Sequence, residues 1–250
     1  MKTTITRTAL ATLVLLLSLT FSSYAQTYYK LYLCSDATAK LRTPEEATLV
    51  SGDKVHWFLD GTAVGTPITF NGTAGSTDIA VPSNLTVGLH NYTTQIESKD
   101  GCLGPKSDDF PIYKLPSKTL ALSTPTNASY CGDSSGPSAS SQITATTTPG
   151  AALPDGVEYV YSWSATFNGA AVTPVTSIGS DNASKTNQNI FTLNTITAGT
   201  YVFSATVNYV LTAANTGVLK SGTTCEATAT TSQTITVTPK PGKPTIVLGS

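Results

Sequence analysis

Apolar and polar residues alternate along most of this chain, the period-two signature of half-buried strands. Tyr29, Leu31 and Leu33 share one face of an opening strand, and Tyr28, Tyr32 and Cys34 share the other. Val55, Trp57 and Leu59 form an inward column that ends at the turn Asp60-Gly61. Ile68 and Phe70, then Ile79 and Val81, mark two further strands. From Gly88 a long strand points His90, Tyr92, Thr94 and Ile96 inward. Lys99-Asp100-Gly101 then turns the chain back towards Cys102, and Phe110, Ile112 and Tyr113 lie in a closing strand.

The same order then recurs. Leu120 and Leu122 open the second copy, Ile143 and Ala145 follow Cys131, and a strand around Trp163 with Val160 and Ser162 takes the central place. Ile190, Phe191 and Leu193 precede Gly199. Setting Gly88 on Gly199 matches His90 with Tyr201, Tyr92 with Phe203, Thr94 with Ala205 and Ile96 with Val207. Each copy therefore reads cysteine, tryptophan strand, glycine-led aromatic strand, cysteine. This predicts an all-β chain of two tandem β-sandwiches, with Trp57, Trp163, Tyr92, Tyr201 and Phe203 in the cores. His90 occupies the place of a packing tyrosine and reads as a core residue, while His56 alternates out of phase with Trp57 and should face solvent.

The copies differ in one place: six positions separate Ile96 from Cys102, and eighteen separate Val207 from Cys225. The lengthened segment, 208–224, reads as a hairpin extending the last two strands around the turn Ala214-Asn215-Thr216-Gly217. Loops at sandwich ends commonly carry binding, so Tyr209, Leu211, Asn215 and Gly217 are candidate contacts. The alternative is a hairpin that packs on the neighbouring module.

Residues 1–25 carry Lys2 and Arg7, an apolar run from Ala9 to Phe21 and small residues before Gln26, as a cleaved signal peptide does. The remainder divides into sandwiches at 26–115 and 116–239, joined at Leu115-Pro116-Ser117, with a linker and orphan strand at 240–250. Thr245, Ile246, Val247 and Leu248 follow Pro244 as Thr119 to Leu122 follow Pro116, so this tail resembles the first strand of a further module. It is a candidate donor strand for the sheet edge of another subunit. The mature chain contains no segment long and apolar enough to span a bilayer.

Export makes disulfides the expected use of the four cysteines. The repeat pairs Cys34 with Cys102 and Cys131 with Cys225. Zinc is disfavoured, because no C-x-x-C pair exists and the chain has only two histidines. Charged residues make up 12% of the sequence and the net charge is −1, with no basic stripe to suit nucleic acid. Glu45-Glu46 and Asp108-Asp109 are adjacent acidic pairs on loops, and no catalytic motif accompanies His56 or His90. No cofactor or metal is expected.

The stretch Val55-His56-Trp57-Phe58-Leu59-Asp60-Gly61, the glycine-led aromatic strand and Asp100-Gly101-Cys102 together resemble bacterial immunoglobulin-like or PKD-like repeats of Bacteroidetes-type surface proteins. The resemblance covers both copies and implies spacer, stalk or adhesin modules without catalytic residues. It departs from antibody domains in placing the second cysteine after the aromatic strand, so a bridge there would tie one end of a sandwich. The expectation is a secreted or cell-surface structural or adhesive protein, with other surface proteins, glycans or its own copies as partners. A glycan-binding pair using Tyr28, Tyr29 and Tyr32 or the 208–224 hairpin is the alternative.

Overall fold

The computed structural model describes residues 27–132, 139–149 and 152–246. The signal-peptide reading, and the last part of the proposed donor strand with Val247 and Leu248, lie outside them. Among the described residues the regular structure is β-strand apart from three short 3-10 turns.

The N-terminal half places Leu31–Leu33, Phe110–Lys114, Gly88–Glu97, Lys54–Leu59 and Thr62–Ala63 side by side in its main sheet. Ala39–Leu41 and Ile79–Val81 pair as a second, two-stranded layer. In the C-terminal half the equivalent sheet runs Ser129–Cys131, Gln233–Thr238, Gly199–Leu211, Val157–Phe167 and Ala170–Val172. Its facing layer contains Thr119–Leu122, Ser141–Thr148, Gln188–Leu193 and Gly179–Asp181.

The two halves share strand register at corresponding positions. His90 stands opposite Ile112, and Tyr201 stands opposite Ile235. Trp57 stands opposite Thr94, and Trp163 opposite Ala205, so the two indoles occupy the same place. Trp57, Tyr92, Tyr201 and Phe203 are buried, whereas Trp163 is only partly covered. Each indole N–H finds an acceptor, Trp57 on the Thr77 carbonyl (3.0 Å) and Trp163 on Asn189 Oδ1 (2.7 Å). The central hairpins also correspond, through Asp60-Gly61 and Asn168-Gly169. Asp60 and Asn168 adopt positive φ of 50° and 47°, the geometry that two-residue hairpin turns need.

The cysteines correspond too, but they pair differently from the sequence expectation. Cys34 is bonded to Cys225, across 191 residues, with Cα atoms 5.3 Å apart; Cys102 and Cys131 are free. The reason is strand polarity. Cys34 follows Leu33, beside Lys114 and the Gly88 end of the long strand. Cys102 precedes Leu103, which pairs with Glu97 at that strand's other end. The strand Gly88–Glu97 has ten residues, so about 30 Å separates its ends at ~3.3 Å per residue, far beyond disulfide reach. Cys131 and Cys225 are held apart in the same way by Gly199–Leu211, since Gly199 pairs with Val237 and Asn208 with Glu226. No bridge within one half is possible; only the meeting of the halves brings two sulfurs together.

Thiol labelling of the native chain should therefore modify Cys102 and Cys131, and a non-reduced digest should yield one peptide joining Cys34 to Cys225. Replacing Cys225 by Ser should lower unfolding stability by about 2–5 kcal/mol in denaturant titration.

Candidate functional site

The hairpin foreseen at 208–224 does not simply prolong two strands. Beyond Leu211 the chain leaves its own sheet, and Val218–Lys220 joins the N-terminal sheet, parallel to Leu31–Leu33. Glu226–Thr228 then returns to pair with Thr206 to Asn208. Leu31–Leu33 is thereby bordered on both edges, and Leu31, Tyr32 and Leu33 are all buried. A strand with one face to solvent would have buried alternate residues only.

The four residues singled out on the hairpin are contacts, but to the chain itself. Tyr209 is buried; its hydroxyl donates to the Pro116 carbonyl (3.1 Å), and the Lys118 ammonium lies 3.8 Å from its ring centre. Leu211 packs at the edge of the core. Asn215 is buried and donates through Nδ2 to the Tyr32 hydroxyl (2.9 Å) and the Gly156 carbonyl (3.0 Å). A Cβ at Gly217 would lie 2.3 Å from the Tyr29 carbonyl oxygen, so only glycine permits this backbone approach. The tyrosines of the glycan alternative are drawn in as well: Tyr29 stacks on Tyr113 at 5.2 Å, and Tyr32 is fully buried.

Polar groups complete this junction. Asp36 accepts from the backbone N–H groups of Thr223 (2.8 Å) and Thr224 (3.2 Å), and from both threonine hydroxyls. The Thr223 hydroxyl, then that of Thr224, holds the Asp36 carboxyl well below the usual carboxylate range. Lys114 is buried and donates to the carbonyls of Cys34 (3.1 Å) and Ser35 (2.7 Å). Lys118 donates to the Thr224 and Cys225 carbonyls; burial pulls its pKa down to about 8, against the opposing pull of Glu226. A buried ammonium that keeps its partners is tolerable where an unpaired one would not be.

The N-terminal half also carries an open cleft of about 370 Å³ that the sequence did not signal. Trp57, Tyr92 and Phe110 supply its apolar lining, and Lys30, Lys40 and Asp108 its charge. Lys30 Nζ lies 5.4 Å from the centre of the Phe110 ring. Arg42 also lines it, but is held by Asp78 (2.9 and 3.0 Å) and by Glu46 (2.9 Å). Glu46 is accordingly buried. These residues come from four strands and three loop segments, a convergence that no single motif could announce.

The histidines serve packing. His90 is buried, with Nδ1 2.9 Å from Asp60 Oδ2 and Nε2 2.9 Å from the Thr86 carbonyl, so it ties a turn to a strand. His56 is half-buried and not solvent-facing as expected, with Nε2 2.8 Å from Glu97 Oε2.

No family model matches this chain, and no curated protein sequence matches it. Solved structures do. The fibronectin(III)-like modules of Clostridium thermocellum CbhA share 13% identity over 87% of this chain and 93% of theirs, with a TM-score of 0.38. Murine CEACAM1b shares 14% identity over 84% of this chain and 96% of its own, at a TM-score of 0.36. A 1.5-MDa bacterial ice-binding adhesin shares 14% over 84% of this chain and 60% of its own, at a TM-score of 0.33. Among the described residues this chain is all-β, with two sheet layers in each half.

The junction should weaken in acid. A carboxylate with a depressed pKa contributes stability above its unfolded value, and that contribution is lost as pH falls towards the folded one. Unfolding midpoints should therefore drop below about pH 4, the unfolded Asp range. Asp36→Asn should lower the midpoint at neutral pH and flatten that part of the pH profile.

Proposed function

We propose that this chain is a non-enzymatic structural or adhesive protein, exported to a cell surface or beyond, whose two sandwiches at 26–115 and 116–239 act as one stiff unit. It is read as a module pair of the bacterial immunoglobulin-like and PKD-like kind. One observation carries the reading: a strand of the C-terminal half completes the N-terminal sheet and is locked there by Cys34–Cys225. A catalytic protein gains little from fusing modules this way. A spacer that must hold a fixed distance and orientation gains a great deal, because flexible tandem modules waste that orientation. The linker adds to the stiffness, since Leu115 is fully buried and the Pro116 carbonyl is held by Tyr209.

Small-angle scattering and NMR relaxation should find both halves tumbling as one body with a single narrow distance distribution. Independent tumbling, with separate correlation times for the halves, would remove the basis of the reading.

A glycan-binding role has one observation of its own, the cleft of Trp57, Tyr92 and Phe110 beside Lys30 and Lys40. An aromatic floor with cationic walls suits a sugar carrying carboxylates. Titration with an acidic polysaccharide such as alginate should then show saturable binding that falls at least tenfold in Phe110→Ala or Lys40→Ala. Unchanged or absent binding would leave the cleft without this role.

A further inference from the structure

The internal repeat shows what its cysteines do when two modules meet. At the junction, the first cysteine of one copy, Cys34, bonds the second cysteine of the other, Cys225. The two remaining cysteines are the complementary halves of that pair. Cys131 is the register equivalent of Cys34: Cys131 ends, and Cys34 directly follows, the first strand of its main sheet, parallel to the closing strand, with Leu33 beside Lys114 and Cys131 beside Thr238. Cys102 is the equivalent of Cys225: each immediately precedes a short strand paired to the far end of the long one. Each free thiol sits about 30 Å from the junction, one strand length at ~3.3 Å per residue, and each belongs to a different half.

Both outer poles are prepared for contact. Cys102 is exposed, next to Leu103 at 60% exposure. Val50, at 58%, is tied to the same turn, because Asp53 accepts from the N–H groups of both Val50 and Lys99. At the other pole, the Ile196 backbone abuts Gly132, the residue after Cys131, and the Ile196 side chain is 53% exposed. The strand Ser129–Cys131 borders its sheet, while its counterpart Leu31–Leu33 is covered by Val218–Lys220.

We infer that the partner at these poles is a second copy of this chain, joined head to tail by a disulfide from Cys131 of one copy to Cys102 of the next. The contact is heterologous and leaves a free pole at each end, so it propagates into a linear array and does not close at a dimer. The bond forms by exchange with a small-molecule disulfide. The Cys131 thiolate attacks it, forming a mixed disulfide and releasing one thiol; the Cys102 thiolate of the next copy then attacks the Cys131 sulfur and releases the second. Two protein thiols are oxidised and one small disulfide is reduced to two thiols. The turn leading to Cys102 has no counterpart of Val218–Lys220, so this contact lacks a crossing strand and depends on the covalent bond and the flanking aliphatic residues. Reduction should dissolve it while the internal junction keeps its strand pairing. This inference rests on the structural reading of the chain, and its test is separate from the tumbling measurement.

The purified chain, equilibrated in a glutathione redox buffer, should give a ladder of dimer, trimer and higher species on non-reducing gels. Its digest should contain a peptide joining Cys102 to Cys131. Cys102→Ser and Cys131→Ser should each remain monomeric alone, yet an equimolar mixture of the two should yield a dimer and nothing larger. Retention of the Cys34–Cys225 peptide in both variants would show that they are folded. Monomers carrying glutathione on Cys102 and Cys131 would overturn the inference, as would dimers of equal yield from either variant alone.

Discussion

The arrangement depends on one parallel strand pair and the covalent bond beside it. Val218–Lys220 against Leu31–Leu33 satisfies backbone groups that would otherwise lie bare at a sheet edge. Cys34–Cys225 then fixes the register of that pairing. From these two facts follow the burial of Tyr32 and Asn215, the enclosure of Lys114 and Lys118, and the threonine cradle around Asp36. The Asp36 contacts with Thr223 and Thr224 and the Asn215–Tyr32 bond join the two halves and so form only on docking, whereas Lys114 bonds within the N-terminal half and Lys118 within the C-terminal half. The junction thus sets buried polar groups within a hydrophobic core that runs through both halves.

A duplicated pattern has been put to two uses by a difference in length. After the long strand, the N-terminal copy turns back at once through Ser98 to Cys102, the backbone held by Ser98 and Cys102 bonding to each other (2.9 Å). The C-terminal copy has enough chain at the same point to cross to its neighbour and return. One pole therefore ends in a compact turn and the other in an intermodular clamp, although the flanking registers agree.

Much of the fold was legible because it is local. Alternation marked the strands, the glycine-led aromatic strand marked the repeat, and the tryptophans landed in equivalent positions. The Asn168-Gly169 turn was as readable as Asp60-Gly61 but hidden, because the strand before it runs four residues past Trp163. The cysteine pairing was not legible by analogy with single modules, since it is decided by which pole each sulfur occupies. The alignment did contain the answer: with Cys34 and Cys102 at opposite ends of one strand, no bond within a module could close. The cleft was out of reach for another reason. Trp57 and Lys40 lie on different layers, and only their packing places them around one space.

The position of the crosslink also determines how this molecule would carry a mechanical load. Cys34 lies a few residues from the start of the described chain, and Cys225 is followed by only two short strands before the tail. A pull applied to the two termini would run from residue 34 straight through the sulfur bridge to residue 225. The 191-residue separation between them would lie off the line of tension, so most of both sandwiches would stay unstretched for as long as that bridge remained oxidised.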